Sequence, residues 1–170
     1  MKNFEFEHEG KKLWYSRSLA CSVIIFRIST DYKRIEVLAA KRGQGVEYNR
    51  GKWNVPGGFI DFDENAKECA IRETWEETGI KLPLDRVNFE FLDTDPHGRR
   101  QTMAAIHSAV FTLEETEKWE FTTAHSEEDE VEEIKWININ DLFQYEWLGG
   151  QISSIKRVIR HIFESLINKN

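Results

Sequence analysis

Three glutamates spaced along one predicted helix have the clearest capacity for chemistry in this sequence. Glu76 and Glu77 follow Glu73 by three and four positions, so all three side chains project from one helix face. Carboxylates this close repel one another, and a cation between them removes that repulsion. Mg²⁺ is the ion that prefers a few carboxylates together with the phosphates of a substrate. The spacing therefore predicts a divalent-metal site that acts on a phosphate compound.

The alternative for this triplet is an ordinary solvated acidic helix, in which Arg72 and Lys67 neutralise the glutamates. Two neighbouring features favour the metal site. Residues 56–58 read Pro-Gly-Gly, and glycines let the backbone approach a ligand closely and leave carbonyl groups free as metal ligands. Glu64 lies eight residues before Arg72, and an ion pair between the two would hold this loop against the helix.

A helix and the strands around it must position these side chains. Asn65 can cap the helix, Glu68 completes a capping box, and Gly79 can end the helix in a left-handed conformation. Runs of apolar and β-branched residues predict strands over 19–27, 35–40, 87–92, 102–113 and 134–137. A short helix is predicted over 141–147, and an amphipathic one over about 153–167. This order predicts an α/β fold whose mixed sheet is held between helices.

Size and composition bound the class of protein. A length of 170 residues, 40% of them hydrophobic and 31% charged, predicts one globular domain over 1–170. The net charge of -7 argues against binding to a nucleic-acid polymer, which needs a basic surface. No stretch is long enough to span a bilayer, and the charged N-terminus lacks a secretory signal. With two cysteines and no disulfide framework, a cytoplasmic location is expected.

The residues around the three glutamates resemble the signature of the Nudix hydrolase family. That signature is written G-x5-E-x7-R-E-U-x-E-E-x-G-U, where U is a bulky apolar residue, and it spans residues 58–80 here. Every fixed position is filled, by Gly58, Glu64, Arg72, Glu73, Glu76, Glu77 and Gly79. The one departure is Thr74 at the first apolar position. A looser similarity extends over about residues 18–145.

The resemblance implies a Nudix-type α/β/α sandwich with a mixed β-sheet and an enzyme that hydrolyses a nucleoside diphosphate linked to another moiety. It assigns binding of Mg²⁺, with Mn²⁺ as a second candidate, to the carbonyl of Gly58 and the carboxylates of Glu73, Glu76 and Glu77. Arg72 would orient Glu73, and Glu64 would support the loop or a more distant metal. The metal would activate the attacking water and stabilise charge on the leaving phosphate.

A general base is expected from the acidic run 127–133, which precedes Trp136. Many members of the Nudix family supply a further carboxylate from a loop in this position. Glu130 is the first candidate, and Glu128 and Glu133 follow it. The alternative is a solvated acidic loop that contains no catalytic residue.

Clues to the substrate are fewer outside the signature. Pro96 lies about fifteen residues past the signature, as in ADP-ribose pyrophosphatases. The alternative is an ordinary turn, because Asp-Pro followed by Gly two residues later favours one. Arg42, Arg99 and Arg100 are candidate ligands of phosphate or ribose, because a guanidinium makes paired hydrogen bonds to phosphate. Trp53 is a candidate for stacking on a base, with core packing as its alternative role.

ADP-ribose is accordingly the favoured substrate, and a small nucleotide is the expected partner, without nucleic-acid polymer or membrane. Relatives that cut ADP-ribose are often dimers, so a homodimer is a candidate assembly. A MutT-like triphosphate pyrophosphohydrolase and a sensor that binds ADP-ribose without cutting it are the alternatives. The complete signature and the few residues after Leu148 argue against the sensor. A calcium-binding module is disfavoured because the sequence has no D-x-D-x-D-G loop.

Overall fold

The structure, a computed structural model, describes residues 4–94 and 102–167. It begins with an antiparallel hairpin of β1 (Phe4–His8) and β2 (Lys11–Tyr15), which the sequence pattern did not predict. Glu9 and Gly10 form its two-residue turn with φ values of 50° and 74°. Positive φ at both positions matches the twist of the flanking strands, and glycine adopts it without strain.

A seven-stranded sheet forms the centre of the fold. Its strands are β3 (Ser18–Ile28), β4 (Ile35–Arg42), β5 (Trp53–Asn54), β6 (Gly57–Phe59), β7 (Asn88–Asp93), β8 (Thr102–Thr112) and β9 (Val131–Asn138). The order β5-β4-β3-β8-β7 is extended by β6, which pairs with β3, and by β9, which pairs with β4. Within the described residues, β3 and β8 are the only parallel neighbours, so the sheet is mixed as predicted.

Three helices accompany the sheet in the described part of the chain: α1 (Ala66–Thr78), the single turn α2 (Leu113–Thr116) and α3 (Gln151–Ile167). The predicted caps of α1 are confirmed. The side chain of Asn65 accepts hydrogen bonds from the amides of Lys67 and Glu68, and Gly79 ends the helix at φ 78°. Because Thr112 caps α2, β8 ends one residue before the predicted boundary.

The predicted helix over 141–147 is reduced to one 3-10 turn, Leu142–Gln144. The chain beyond this turn is held extended by the backbone of Trp53. The amide of Trp53 donates to the carbonyl of Glu146 at 2.7 Å, and the amide of Leu148 donates to the carbonyl of Trp53 at 2.8 Å. A helix cannot make these two bonds, so tertiary pairing overrides the local helical preference.

Alternate residues of β3 face opposite layers, as the period of a strand requires. Ile24 and Phe26 pack in the core cluster that includes α3, whereas Val23 and Ile25 pack in the cluster that includes α1. Because the sheet buries both faces under helices, the predicted α/β/α sandwich is confirmed. No helix in the described residues combines the length and apolar content needed to cross a membrane.

Candidate active site

The backbone of Gly58 lies directly against the carboxylate of Glu73. Gly58 is in β6, which pairs with β3 opposite Cys21, while Glu73 is in the middle of α1. A Cβ atom on Gly58 would lie 2.2 Å from Oε1 of Glu73, closer than real Cβ contacts. Only glycine therefore lets a carboxylate of α1 approach the strand this closely.

Arg72 joins the loop before α1 to the helix. Its Nε and Nη2 donate to the two oxygens of Glu64 at 3.0 and 2.6 Å, so the predicted Glu64–Arg72 ion pair is present. Its Nη1 contacts Glu73 at 2.8 Å and Glu76 at 2.9 Å, and its Nη2 also donates to the carbonyl of Phe59. The hydrogen bonds from Arg72 lower the pKa of Glu64. One guanidinium thus fixes three carboxylates of the signature.

Glu77 is the buried carboxylate of the site. The residue is 5% exposed, and its Oε2 has no hydrogen-bond partner among the described residues. Burial raises the pKa of Glu77 well above its usual value, and the charges of Glu73 and Glu130 raise it further. Burial also raises the pKa of Glu73, against the opposing effect of Arg72. A buried carboxylate oxygen without a partner is unfavourable in its charged form, and a cation bound to it removes that cost. This set of oxygen donors therefore fits a hard divalent ion.

As the side chains stand, the described residues contain no group of three His, Cys, Asp or Glu that could hold a metal ion. Glu73 and Glu76 are instead paired with the guanidinium of Arg72. Glu77, in turn, is buried, a depth that the predicted sharing of one helix face did not specify. Glu73 and Glu76 each bond Arg72 through one carboxylate oxygen, so the other oxygen of each remains a candidate metal ligand.

A cleft of about 730 Å³ opens beside Gly58, with Arg42 and Glu130 on its border. Arg42 and Glu130 also surround a smaller cavity together with Glu77. The charge of Glu130 acts on Glu77, as does the opposite charge of Arg42. The predicted substrate ligand Arg42 and the predicted base Glu130 therefore lie at the same end of the cleft as the buried glutamate.

The other two candidates for the general base do not border this cleft. Glu133 pairs with Lys135 at 2.9 Å on the exposed side of β9. Glu128 is exposed in the preceding loop. Of the three candidates, Glu130 is the one that the fold brings to the signature, as its position in the sequence indicated.

Two glycines of the loop after β4 hold the backbone around Glu130. The amide of Gly43 donates to the carbonyl of Glu130 at 2.7 Å, and the amide of Gly45 donates to that of Asp129 at 2.8 Å. A Cβ on Gly43 would lie 2.1 Å from the carbonyl oxygen of Asp129. Since that neighbour is backbone, a side chain on Gly43 must move the segment that carries Glu130.

Gly43→Ala is therefore expected to lower kcat by about 10- to 100-fold through displacement of Glu130. It should also lower the free energy of unfolding by about 1–3 kcal/mol, as overpacking does. Gly10→Ala is the control, because a Cβ there meets nothing within 4 Å and only the positive φ is strained. Steady-state kinetics and thermal unfolding measure both effects. An unchanged kcat in Gly43→Ala would show that the position of Glu130 is unimportant for turnover.

A family model for the NUDIX domain matches residues 18–158. The chain belongs to the Nudix family. The match covers both the signature and the strands around it, and it extends beyond the range of about 18–145 indicated by the looser similarity. The resemblance found in the sequence is confirmed.

Among related proteins, asymmetrical bis(5'-nucleosyl)-tetraphosphatase of Mus musculus is 41% identical over 129 residues, which are 74% of this chain and 82% of that protein. An RNA pyrophosphohydrolase of Cereibacter sphaeroides is 47% identical over 47 residues, or 28% of this chain. The chain spans less than half the length of the first curated relatives it matches, such as 28% of that pyrophosphohydrolase and 30% of a MutT-like protein of Streptomyces ambofaciens. The expected class, a hydrolase of phosphoanhydride bonds, agrees with these names.

Solved Nudix structures share the fold. The NUDIX domain of Shewanella oneidensis NrtR, complexed with ADP ribose, superposes with a TM-score of 0.68 over 87% of this chain and 90% of that chain at 18% identity. A Caenorhabditis elegans Ap4A hydrolase in a binary complex gives a TM-score of 0.64 over 86% of this chain and 98% of that chain, also at 18% identity. At this identity the likeness concerns the fold alone.

Thr74, the one departure from the Nudix signature, is fully buried in α1. Its hydroxyl donates to the carbonyl of Ala70 at 2.7 Å, one turn earlier in the helix. The helix backbone thus satisfies the polar atom of this buried side chain.

The predicted role of Trp53 in stacking on a base is wrong, and the alternative of core packing is correct. Trp53 is 5% exposed and meets the ring of Tyr145 edge to face at 5.6 Å. The ammonium of Lys135 lies 4.7 Å from the Trp53 ring centre, which leaves no open face for a base. The predicted substrate ligands Arg99 and Arg100 lie outside the described residues, as does Pro96.

Sequence reasoning missed several polar residues that line the cleft of this Nudix site, among them Lys52, Asn54 and Gln151. Lys52 and Asn54 flank Trp53 just before the signature, where their proximity to the Pro-Gly-Gly loop was an available signal. Gln151 begins α3, far along the chain, and nothing in its local sequence indicates a contact with the signature. Only the pairing of Trp53 with residues 146–148 brings the start of α3 to the cleft.

Proposed function

We propose that this chain is a Nudix hydrolase that uses a divalent metal to cleave a phosphoanhydride bond in a nucleotide linked to a second moiety. The observation that carries the proposal is the buried, unpartnered oxygen of Glu77 beside Glu73 and Glu130. The adjoining cleft of about 730 Å³ has the size of small-molecule sites. Phosphates cannot approach these carboxylates unless a cation offsets the repulsion between them.

Four groups would hold the ion, and these are the carbonyl of Gly58 and the carboxylates of Glu73, Glu76 and Glu77. Bound Mg²⁺, or Mn²⁺ as the second candidate, would supply charge that polarises the phosphoryl group and the attacking water. The contact between Gly58 and Glu73 supports this set, since it places a carbonyl-bearing strand next to a carboxylate. Oxygen ligands of this kind suit hard cations.

The remaining residues position the metal ligands, accept a proton from water and bind the phosphates of the substrate. Arg72 positions Glu73, and Glu64 keeps Arg72 in place by accepting two hydrogen bonds from its guanidinium. Glu130 accepts a proton from the attacking water as general base. Arg42 and Lys52, which border the cleft, bind phosphate oxygens of the substrate.

Two substrates fit the proposal. A dinucleoside tetraphosphate comes first, because the mouse relative that bears this activity in its name is 41% identical over 82% of its length. ADP-ribose comes second, supported by the Pro96 loop and by the fold shared with the ADP ribose complex of NrtR. In both, water attacks one phosphorus, and the bond to the bridging oxygen breaks to give two phosphate-bearing products.

A panel of substrates with Mg²⁺ tests the proposal. Diadenosine tetraphosphate should yield ATP and AMP, and ADP-ribose should yield AMP and ribose 5-phosphate, both faster than any triphosphate is cut. Turnover should stop with EDTA and in Glu76→Gln, whereas Glu120→Gln, an exposed glutamate outside the signature, should retain it. Release of pyrophosphate from triphosphates as the fastest reaction would indicate a MutT-like enzyme instead. Tight binding of ADP-ribose without any cleavage would indicate a sensor.

A further inference from the structure

Two carboxamide side chains meet in the wall of the cleft. Nε2 of Gln151, the first residue of α3, donates to Oδ1 of Asn54 in β5 at 2.7 Å. Asn54 is 6% exposed, and both residues line the cleft. The other amide atom of Gln151, Oε1, is buried and has no hydrogen-bond partner in the described part of the chain. The pair is thus held in place, but one of its hydrogen-bonding atoms has no partner.

The backbone fixes this contact across a separation of 97 positions. Trp53, which precedes Asn54, exchanges hydrogen bonds with Glu146 and Leu148 on the segment that leads into α3. Trp53 itself is anchored in the core. The two carboxamides therefore sit on rigid elements, which is the arrangement that preorganises a binding site.

The pair presents one free acceptor and free donor N–H groups whichever way the two amides are turned. A carboxamide carries one oxygen and one NH₂ group, and their mutual bond uses one oxygen and one N–H. In the orientation of the structure, Oε1 of Gln151 and Nδ2 of Asn54 are left over. Turning both amides leaves Oδ1 of Asn54 and Nε2 of Gln151 instead. Buried polar atoms are nearly always paired in native proteins, so the unpartnered Oε1 of Gln151 points to a ligand.

A nucleobase edge matches this pattern, because adenine and guanine each carry an N–H donor beside an acceptor atom on the edge used in base pairing. Apolar residues of the same cleft, including Ile24, Val55, Ile106 and Leu148, can contact the faces of the ring. The phosphate chain would then extend toward Arg42 and Glu130. Because the ring of Trp53 is covered, the base cannot stack on it. The base would instead be recognised through hydrogen bonds at its edge.

We propose that the Asn54–Gln151 carboxamide pair, held in the cleft wall with one acceptor and a donor unpaired, hydrogen-bonds to the edge of the substrate's nucleobase. The proposal rests on the proposed function, because it assumes that the cleft binds a nucleotide. It goes further in assigning base selectivity to two residues outside the signature. Loss of either amide should weaken binding of the base and leave binding of the phosphate unchanged.

Calorimetric titration in the presence of Mg²⁺ compares AMP with ribose 5-phosphate, which lacks the base. Neither compound contains a phosphoanhydride bond, so no turnover can occur. Wild-type protein should bind AMP at least about tenfold more tightly, because the base adds buried hydrogen bonds. Asn54→Leu and Gln151→Leu should each remove most of this preference and leave the affinity for ribose 5-phosphate unchanged. The control is Gln144→Leu, since Gln144 is exposed and bonds Asp141 away from the cleft.

Thermal unfolding shows whether each variant is folded. If Gln151→Leu does not fold, Gln151→Glu takes its place, because glutamate has nearly the same shape as glutamine. The introduced carboxylate removes the donor of Gln151 and should also lower AMP affinity. Equal preference for AMP in wild type and folded variants overturns the proposal, as does a wild type that binds AMP and ribose 5-phosphate equally. If the wild type hydrolyses nothing but the variants lose AMP preference, the proposed function fails and the amide pair stands.

Discussion

Glu77→Gln is expected to abolish hydrolysis and, at the same time, to raise the unfolding temperature of the metal-free protein. The first effect follows if Glu77 is a metal ligand, and kcat should fall by more than the roughly 10- to 100-fold caused by loss of a supporting residue. The second follows because Glu77 is 5% exposed with an unpartnered oxygen, so its charge opposes folding. Neutralising it should add about 1 kcal/mol or more, or roughly 2–4 °C.

The stabilisation should depend on pH in a definite direction. Burial raises the pKa of Glu77, so the folded protein binds the proton more tightly than the unfolded chain does. The free energy of unfolding of the wild type therefore falls as pH rises through the raised pKa. Glutamine does not titrate, so the variant should gain most at alkaline pH and nothing below about pH 4, where the carboxyl is protonated in both states. Thermal unfolding from pH 4 to 9 measures this difference.

Glu76→Gln is the matched control for stability, because Glu76 is half-buried and already bonded to Arg72. It should lose activity like Glu77→Gln but gain no stability. Added Mg²⁺ should raise the unfolding temperature of the wild type, since a ligand that binds only the folded state stabilises it. It should have no such effect on Glu77→Gln. A Glu77→Gln protein that is active, or less stable than wild type at pH 8, would contradict the assignment.

The sequence predicted the parts of the fold that local patterns determine. The caps of α1 depend on Asn65 and Gly79 within one short stretch, and the structure has both. The buried strands β3 and β4 follow continuous apolar runs, which a two-sided sheet requires. The extended segment after Gln144 was predicted as helix because its geometry depends on bonds to Trp53, about ninety residues earlier. Only the tertiary structure contains that information.

The same distinction between local pattern and tertiary structure applies to the site. Spacing alone predicted that Arg72 would pair with Glu64 and that Glu73, Glu76 and Glu77 would be neighbours. Spacing does not give the depth of a side chain, so the burial of Glu77 came only from the packing of α1 against the sheet. The same limit applies to the cleft, where Gln151 reaches Asn54 through the docking of α3.

Arg72 is expected to be the residue of the signature whose loss lowers stability most, and its loss should also lower turnover. Its guanidinium serves Glu64, Glu73 and Glu76 and is 28% exposed, while the side chain of Glu64 is 12% exposed. Arg72→Ala leaves these carboxylates without a counter-charge and should lower the free energy of unfolding by about 3 kcal/mol. That corresponds to a drop of roughly 6–12 °C in unfolding temperature. Turnover should fall as Glu73 loses its partner.

Arg72→Lys separates charge from geometry. Lysine keeps the positive charge but cannot make the paired hydrogen bonds to Glu64 or serve three carboxylates at once. It should recover part of the lost stability while kcat stays about 10- to 100-fold below wild type, because Glu73 is no longer held. Arg86→Lys is the matched control, since Arg86 pairs with Glu115 on the surface, outside the signature. Wild-type kcat in Arg72→Lys would show that charge alone suffices.

The pH dependence of the Arg72→Ala effect gives an independent check. Arg72 lowers the pKa of Glu64, so the stabilisation from this pair is present above the ordinary carboxyl pKa and is lost as pH falls through the lowered one. The difference in unfolding temperature between wild type and Arg72→Ala should therefore be largest near neutral pH and narrow in acid. A difference that stays constant down to about pH 3, well below the usual carboxyl range, would mean that Arg72 stabilises the fold by packing and not by its ion pairs.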